Sequence, residues 1–159
     1  MKTLLFIISA AIYMAGTNST IATNKNCKTV PEKVCSAFSQ KYPGSISENW
    51  KAKDSVFIGH FVKDGRKFEC IFSSNGNWIQ TEAKLRLSEI PKEIDSSIAH
   101  SKYKSFQITL VKAVEYPSGT KTYLIDVESV PAYTDIEPTV ENVRLYINQQ
   151  GTIMRSESI

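Results

Sequence analysis

The chain has 159 residues, of which 42% are hydrophobic and 22% are charged, and its formal net charge is +3. This composition is typical of a folded globular protein and excludes a disordered one, and the length suits one ordinary domain or two small ones that share a core. The positive charge is small and its lysines and arginines are scattered, so nucleic acid is not an expected partner.

The first 22 residues have the features of a secretory signal peptide. Lys2 supplies the positive charge, residues 4–15 form an uncharged run, and the small residues that follow suit cleavage after Ala22. The uncharged run is too short to cross a bilayer as a helix. We therefore expect an exported protein, periplasmic or secreted, with no transmembrane segment once the signal is removed and with a flexible lead-in over residues 23–29.

The first half of the exported chain is predicted to begin with a helix at residues 30–43, VPEKVCSAFSQKYP. Apolar residues recur there every four positions and share one helical face, and Pro43-Gly44 ends the helix. Four alternating segments that indicate strands follow: SENWKA, SVFIGHFV, RKFECIFS and NWIQTEAKLRL. Turn signals at Asp64-Gly65 and Asn75-Gly76 join the last three segments, so we predict an antiparallel meander.

The second half repeats this order. A helix is predicted at residues 90–103, IPKEIDSSIAHSKY, and it is followed by FQITLVKAVEY, KTYLIDVESV, ENVRLYIN and TIMRSES. The turn signal Gln150-Gly151 matches Asn75-Gly76, and a loop at residues 131–142 accounts for most of the greater length of this half.

The doubled order predicts an α+β fold of two tandem repeats, residues 30–87 and 88–159. Each repeat would have one N-terminal helix followed by a four-stranded antiparallel meander sheet. A unit this small buries little apolar surface, so we expect the two repeats to pack together or to join their sheets.

The three cysteines leave their pairing open. Export permits a disulfide, and an odd number leaves at least one thiol unpaired within the monomer. A Cys35–Cys70 bridge between the helix and the sheet is one interpretation, and two small buried side chains is the other. The polar residues TNKN before Cys27 do not fit a lipidation site.

Several motifs together resemble the PepSY-like family of exported bacterial proteins, which is grouped by fold with the beta-lactamase inhibitory protein. They are VPxxVxxAFxxxYP, an aromatic strand start at Trp50, the turn FxxNGxW and a second helix that begins IPxxI, and the resemblance extends from residue 30 to about residue 157. It is weaker in the second half, where Thr152 and Ile153 stand in place of Asn77 and Trp78.

The resemblance implies tandem helix-plus-sheet repeats, a location in the periplasm or outside the cell, no cofactor and no catalytic residues. The inhibitory protein suggests that the chain inhibits a hydrolase, and related PepSY domains are thought to restrain peptidases.

The residues themselves do not indicate a catalytic or metal site. His60 and His100 have no acidic neighbour at a useful spacing, and the motifs GxSxG, HExxH and the P-loop are absent. Asp135, Glu137 and Glu141 do not match a calcium loop, and there is no cysteine and histidine pattern for zinc. A hydrolase that uses His60 is the enzymatic alternative, and a structural role for this histidine is the other.

Aromatic and polar side chains on the strands are the better candidates for binding. Trp78, Gln80 and Glu82 share one strand parity, which would put an exposed tryptophan on a polar face, the kind of residue that forms hot spots for protein partners. The alternative is that Trp78 packs beneath its own helix. The candidate binding residues are Trp78, Gln80, Glu82, Tyr133, Tyr146 and His60.

The predicted function is therefore an exported, non-enzymatic binding module. Its partner would be a periplasmic or extracellular protein, such as a hydrolase or peptidase that it inhibits or modulates. The alternative is a periplasmic carrier or sensor that holds a small ligand in the cleft between the repeats.

Overall fold

The computed structural model of the protein describes residues 27–131 and 139–159. The predicted signal peptide and most of the lead-in lie outside the described residues, and so does most of the predicted loop at residues 131–142.

The chain forms a helix and four strands, and then forms a helix and four strands again. The first set is a 3-10 turn at Cys27–Thr29, helix α1 at Glu32–Lys41, and strands β1 Ser47–Lys53, β2 Val56–Lys63, β3 Arg66–Ser73 and β4 Trp78–Lys84. The second set is a 3-10 turn at Leu87–Glu89, helix α2 at Lys92–Ala99, and strands β5 Gln107–Glu115, β6 Lys121–Glu128, β7 Asn142–Asn148 and β8 Ile153–Ser158.

All eight strands belong to one sheet, and their order in the sheet is their order in the chain. Every neighbouring pair is antiparallel, including β4 and β5, where Thr81 is opposite Glu115 and Lys84 is opposite Lys112. The predicted helices and antiparallel meanders are confirmed, and of the two expected arrangements the structure has the joined one: the two four-stranded meanders form one sheet of eight strands. The strand-like pattern of β4 and β5 carries no signal for this pairing, because the two strands are not joined by a tight turn.

Both helices lie on the same face of the sheet. Phe68 is opposite Ala83, Ala83 is opposite Ala113, and Ala113 is opposite Tyr123, so these side chains lie on one face. Phe68 packs against the core under α1, and Tyr123 belongs to the core under α2. The opposite face of the sheet carries neither helix, and we call it the open face.

The two turn glycines that match in the sequence contact the first turn of the helix in their own half. A Cβ atom on Gly76 would lie 2.7 Å from the carbonyl oxygen of Lys33, and one on Gly151 would lie 2.7 Å from the carbonyl oxygen of Glu93. Both glycines have a positive φ, 85° and 87°. At each turn, both the positive φ and the nearby helix carbonyl therefore disfavour any residue with a side chain.

One extra residue bulges from the ladder at four places in the sheet, at matching positions in the two halves. The first pair of bulges is Glu48 in β1 and Thr109 in β5, and the second is Ile79 in β4 and Met154 in β8. Each bulge reverses the alternation of side chains along its strand.

The disulfide bond differs from the predicted bridge. Cys35 is bonded to Cys27, with a Cα–Cα distance of 6.1 Å, so the predicted Cys35–Cys70 pairing is wrong. Val34 and Phe38 occupy the helix stripe that faces the sheet, and Cys35 is rotated from Val34 by about 100° around the helix. Cys70 is free and fully buried, which agrees with the alternative interpretation for this residue.

Candidate binding face

The open face is formed by the strand residues that alternate with the core residues. In the described part of the chain, its polar and larger side chains include those of His60, Lys67, Glu69, Gln80, Glu82, Lys84, Lys112, Leu124, Asp126, Arg144, Tyr146, Arg155 and Glu157. Four of the six predicted binding residues lie on this face, namely His60, Gln80, Glu82 and Tyr146. Tyr133 lies outside the described residues.

Trp78 does not share a face with Gln80 and Glu82, as the two-residue alternation predicted. The bulge at Ile79 turns Trp78 to the helix side, where it pairs with Phe72, while Gln80 stays on the open face opposite Ile71. Trp78 is half-buried and packs against the core under α1. The alternative interpretation, that Trp78 packs beneath its own helix, is therefore confirmed.

Polar contacts hold Trp78 in this position. Its Nε1 atom donates a hydrogen bond to the hydroxyl of Thr81 over 2.9 Å, and the Nζ atom of Lys41 lies 3.2 Å from the centre of its ring. The hydroxyl of Tyr42 is bonded to the same Thr81 hydroxyl. Burial raises the pKa of Tyr42, so it stays protonated and keeps this bond at any physiological pH.

Contacts within and between strands link the polar side chains of the open face in the first half. The Nδ1 atom of His60 lies 3.5 Å from a carboxylate oxygen of Glu69 on the next strand. Glu82 accepts a hydrogen bond from Gln80 over 2.9 Å and is also paired with the Nζ atom of Lys112 over 2.9 Å. The Glu82–Lys112 pair joins the two halves, because Glu82 lies on β4 and Lys112 on β5.

The strongest ion pair of the face lies in the second half. The guanidinium of Arg144 donates two hydrogen bonds to the carboxylate of Asp126, over 2.7 and 2.8 Å. This contact raises the pKa of Arg144 above its ordinary value, so the arginine is always charged. Only 8% of Asp126 is exposed, so the pair forms a fixed part of the face.

Tyr146 is held by two neighbours on β8. Its hydroxyl donates to Glu157, and the guanidinium carbon of Arg155 lies 3.8 Å from the centre of its ring. The pKa of Tyr146 is raised, mainly by the hydrogen bond to Glu157 and to a smaller extent by burial. Hot spots for protein binding are enriched in tyrosine and arginine, and here the two residues stack on a half-exposed surface.

The arginines and lysines of this face were not among the predicted residues. The signal was present in the strand NVRLYIN, where Arg144 and Tyr146 share one parity and alternate with the buried Val143, Leu145 and Ile147. The salt bridges could not be predicted, because each joins strands whose register is set by the fold.

The described residues offer little for catalysis. They contain no group of three or more histidine, cysteine or acidic side chains that could hold a metal ion. Burial raises the pKa of Cys70, the free cysteine of the described ranges, to about 12, which disfavours the reactive thiolate. The side chain of His60 contacts that of Glu69, and its role stays a prediction.

None of the helices in the described ranges has the length and the apolar composition that a membrane span requires.

Comparison with known proteins supports the same fold. The sequence model of the PepSY-like, beta-lactamase-inhibitor-like family matches residues 61–155, which is more than half of the chain. No curated protein matches.

Several solved structures from Bacteroides are similar. A BLIP-like protein of Bacteroides fragilis has a TM-score of 0.70 and 22% identity, over 82% of this chain and 86% of that one. A DUF2874 family protein of Bacteroides ovatus has a TM-score of 0.70 and 21% identity, over 82% and 88% of the two chains. A protein of Bacteroides eggerthii that is described as periplasmic has a TM-score of 0.69 and 18% identity, over 82% and 89%. At these identities the similarity shows the fold alone.

Proposed function

The chain belongs to the PepSY-like family of beta-lactamase-inhibitor-like proteins, and on this premise we propose that it is an exported, non-enzymatic module that binds a protein on its open face. The observation that carries the proposal is that, in the described part of the chain, this face is uncovered and already ordered. The described helices cover only the other face, and the polar side chains of the open face are held in place by cross-strand contacts. A surface that is already ordered loses little side-chain entropy on binding.

Tyr146 is the best candidate for the centre of this interface. It is half-buried, stacked by Arg155 and bonded to Glu157, so a partner meets a rigid aromatic side chain. Half-buried aliphatic side chains surround the polar ones on the same face, namely Ile58, Ile71, Leu110 and Leu124. The mixture of aromatic, aliphatic and paired charged groups is typical of a non-obligate protein interface.

We further propose that the partner is a hydrolase or peptidase that the module inhibits or modulates. The family description and the BLIP-like protein with the same fold support this part of the proposal. The inhibitor role is a fold analogy, and it needs the activity measurement described below.

The protein is proposed to act in the periplasm or outside the cell, after cleavage following Ala22. The disulfide Cys27–Cys35 favours an oxidising compartment, and a protein of similar structure is described as periplasmic. The two halves, residues 30–87 and 88–159, are proposed to be tandem repeats. Their support is the matching helix contacts of Gly76 and Gly151 and the matching bulges.

An affinity capture tests the binding proposal. The chain beginning at Thr23 is immobilised and exposed to the periplasmic and secreted proteins of its source cells, in parallel with Tyr146→Ala, Arg155→Ala and the control Arg86→Ala. Arg86 is exposed in the segment between β4 and α2. We expect wild type and Arg86→Ala to capture the same hydrolase, and the two open-face variants to lose it.

The captured enzyme is then assayed with and without the pure protein. Inhibition supports the inhibitor role, and unchanged activity contradicts it while leaving the binding proposal in place. Equal capture by all four proteins contradicts the open face as the binding site.

The small-ligand carrier or sensor is the alternative. It has less structural support, because β4 and β5 are hydrogen-bonded and the sheet continues between the two halves. An empty capture together with a rise in melting temperature on addition of a small molecule would favour this alternative.

A further inference from the structure

One row of side chains crosses the open face from strand to strand. Lys84 is opposite Lys112, and Lys112 is opposite Leu124. Leu124 is opposite Tyr146, and Tyr146 is opposite Arg155. Directly opposite side chains lie on one face, so these five form a continuous line from β4 to β8.

Lys67 extends this line by one strand. It precedes Phe68, which is opposite Ala83, and the antiparallel register therefore places Lys67 beside Lys84. We call the six residues from Lys67 to Arg155 the recognition row. Because neighbouring strands are about 4.8 Å apart, the recognition row is about 24 Å long.

The charge of the recognition row is entirely positive. It contains three lysines, one arginine and no carboxylate, and two of these four cations have an acidic neighbour outside the row. Glu82 is paired with Lys112, and Glu157 lies 3.6 Å from Arg155. Within the described ranges, Lys67 and Lys84 have no ion-pair partner.

Two of the lysines also repel each other. Lys84 and Lys112 are directly opposite, and like charges in such a pair destabilise a sheet. The carboxylate of Glu82 offsets this repulsion for Lys112 alone. A carboxylate from a partner that contacts Lys67 and Lys84 would relieve the remaining repulsion, and this gain comes only on binding.

The other end of the recognition row is suited to apolar side chains. Leu124 is half-buried beside Tyr146, whose ring is covered on one side by Arg155. An extended polypeptide advances about 3.3 Å per residue, so about seven residues would cover the whole row.

We propose that the recognition row binds an extended segment of the protein partner, with acidic residues over Lys67 and Lys84 and apolar residues over Leu124 and Tyr146. This rests on the proposed function and specifies the partner that the open face selects. The row is one side chain wide, and the flanking rows carry carboxylates, among them Glu69 and Glu82 on one side and Glu157 on the other. A polyanion with charges on all sides, such as a nucleic acid or a sulfated polysaccharide, would meet these carboxylates, whereas a single acidic segment would not.

Fluorescence anisotropy with a synthetic peptide tests this specificity. The probe is a labelled peptide of about eight residues that begins with glutamates and ends with leucines, matched to the length of the recognition row. A peptide with lysines in place of the glutamates is the charge control, and heparin is the polyanion control. The chain beginning at Thr23 is titrated at low salt, where screening is weak.

The informative variant is the double substitution Lys67→Gln/Lys84→Gln, and the matched control is Lys92→Gln/Lys104→Gln. All four lysines are exposed, and both variants lose the same net charge, but Lys92 lies on α2 and Lys104 in the turn that follows it. We expect the open-face variant to bind the acidic peptide about tenfold more weakly and the control to change by less than about twofold. The lysine peptide should not bind.

Two results of the peptide titration would overturn the proposal. One is an equal loss of affinity in both double variants, since net charge would then explain the binding. The other is tighter binding of heparin than of the acidic peptide with the same dependence on Lys67 and Lys84. If instead Tyr146→Ala abolishes capture of the natural partner while Lys67→Gln/Lys84→Gln captures it as wild type does, the proposed function stands and the acidic recognition fails.

Discussion

The two halves of the molecule have the same layout but different cores. The core under α1 is mainly aromatic and contains the free Cys70, whereas the core under α2 is mainly aliphatic: the first includes Phe38, Tyr42, Phe61 and Phe72, and the second Ile94, Ile98, Ile125, Leu145 and Ile147. The two halves share their backbone geometry: the turn glycines contact the helices in both, and the bulges lie at matching positions. The comparison teaches that this layout depends more on where the backbone turns and bulges than on which apolar side chains fill it.

One exchange shows how different side chains fill equivalent space. In the first half, Trp50 lies opposite Gly59, and a Cβ atom on Gly59 would come within 2.8 Å of the tryptophan ring. In the second half, the corresponding positions next to the bulge in β5 hold Val111 opposite Ile125. A large residue over a glycine is thus replaced by two residues of intermediate size, which keeps the layer filled.

The largest expected effect tests the shared geometry. Gly76→Ala and Gly151→Ala should each lower the free energy of unfolding by about 3 kcal/mol, because alanine is strained at a positive φ and its Cβ atom would press on a helix carbonyl. Gly119 is the control: its φ is 78°, but no atom lies within 4 Å of the added Cβ. Gly119→Ala should cost only about 1–2 kcal/mol by chemical denaturation. Equal costs at all three glycines would contradict a role for the helix contacts.

The next effect separates the halves, because only the first contains a disulfide among the described residues. Cys27→Ser/Cys35→Ser should lower the free energy of unfolding by about 2–3 kcal/mol, through the entropy of a short loop in the unfolded chain. Cys70→Ser is the comparison for loss of a buried thiol. Urea denaturation with and without reductant measures both effects. If reductant destabilises the Cys27→Ser/Cys35→Ser variant as much as wild type, the bond is not the cause.

A double-mutant cycle tests the exchange of volume between Trp50 and Gly59. Gly59→Ala should cost about 2 kcal/mol in wild type, since the tryptophan ring has to move. In the background of Trp50→Val, which imitates Val111 of the second half, the same substitution should cost about 1 kcal/mol less than in wild type, and the Cys70 sulfur, 3.1 Å from the added Cβ atom, accounts for the cost that remains. Additive costs would show that the ring does not limit the size of residue 59.

The smallest effects distinguish the ion pairs of the open face. Asp126→Asn should cost about 2 kcal/mol, because Asp126 is buried and accepts two hydrogen bonds from Arg144. Glu69→Gln should cost about 0.5 kcal/mol or less, since the His60–Glu69 contact is long and about a third of each side chain is exposed, 30% and 34%. Thermal unfolding of both variants at neutral pH provides the comparison, and a greater loss for Glu69→Gln would contradict it.

The helices, strands and turns could be predicted from the sequence because their signals are local. The predicted helix at residues 30–43 contains α1, which spans Glu32–Lys41, and Asn75-Gly76 marks the turn between β3 and β4. The pairing of β4 with β5 could not be predicted, because a whole helix lies between them in the chain. The structure therefore decides between packed and joined sheets and gives the register of the junction.

The candidate site was predicted in part for a similar reason. Two-residue alternation assigns Gln80, Glu82 and Tyr146 to one side of their strands, and these residues do lie on the open face. The same alternation fails for Trp78, since the bulge at Ile79 adds one residue that no pattern of polarity reveals. The disulfide was missed because it joins the helix to the short turn before it, and the sheet is not involved.

The strand order has a consequence for how the protein folds. Among the described residues, each strand pairs only with the strands before and after it in the chain, so the pairing of this sheet requires no crossover between distant strands. Folding rates rise as contacts become more local in sequence, and this arrangement is favourable for a protein that is mostly sheet. On the proposed export route, with the N-terminus first, each strand would add to the growing edge as soon as it emerges, and α1 and its four strands would pack before β5 appears.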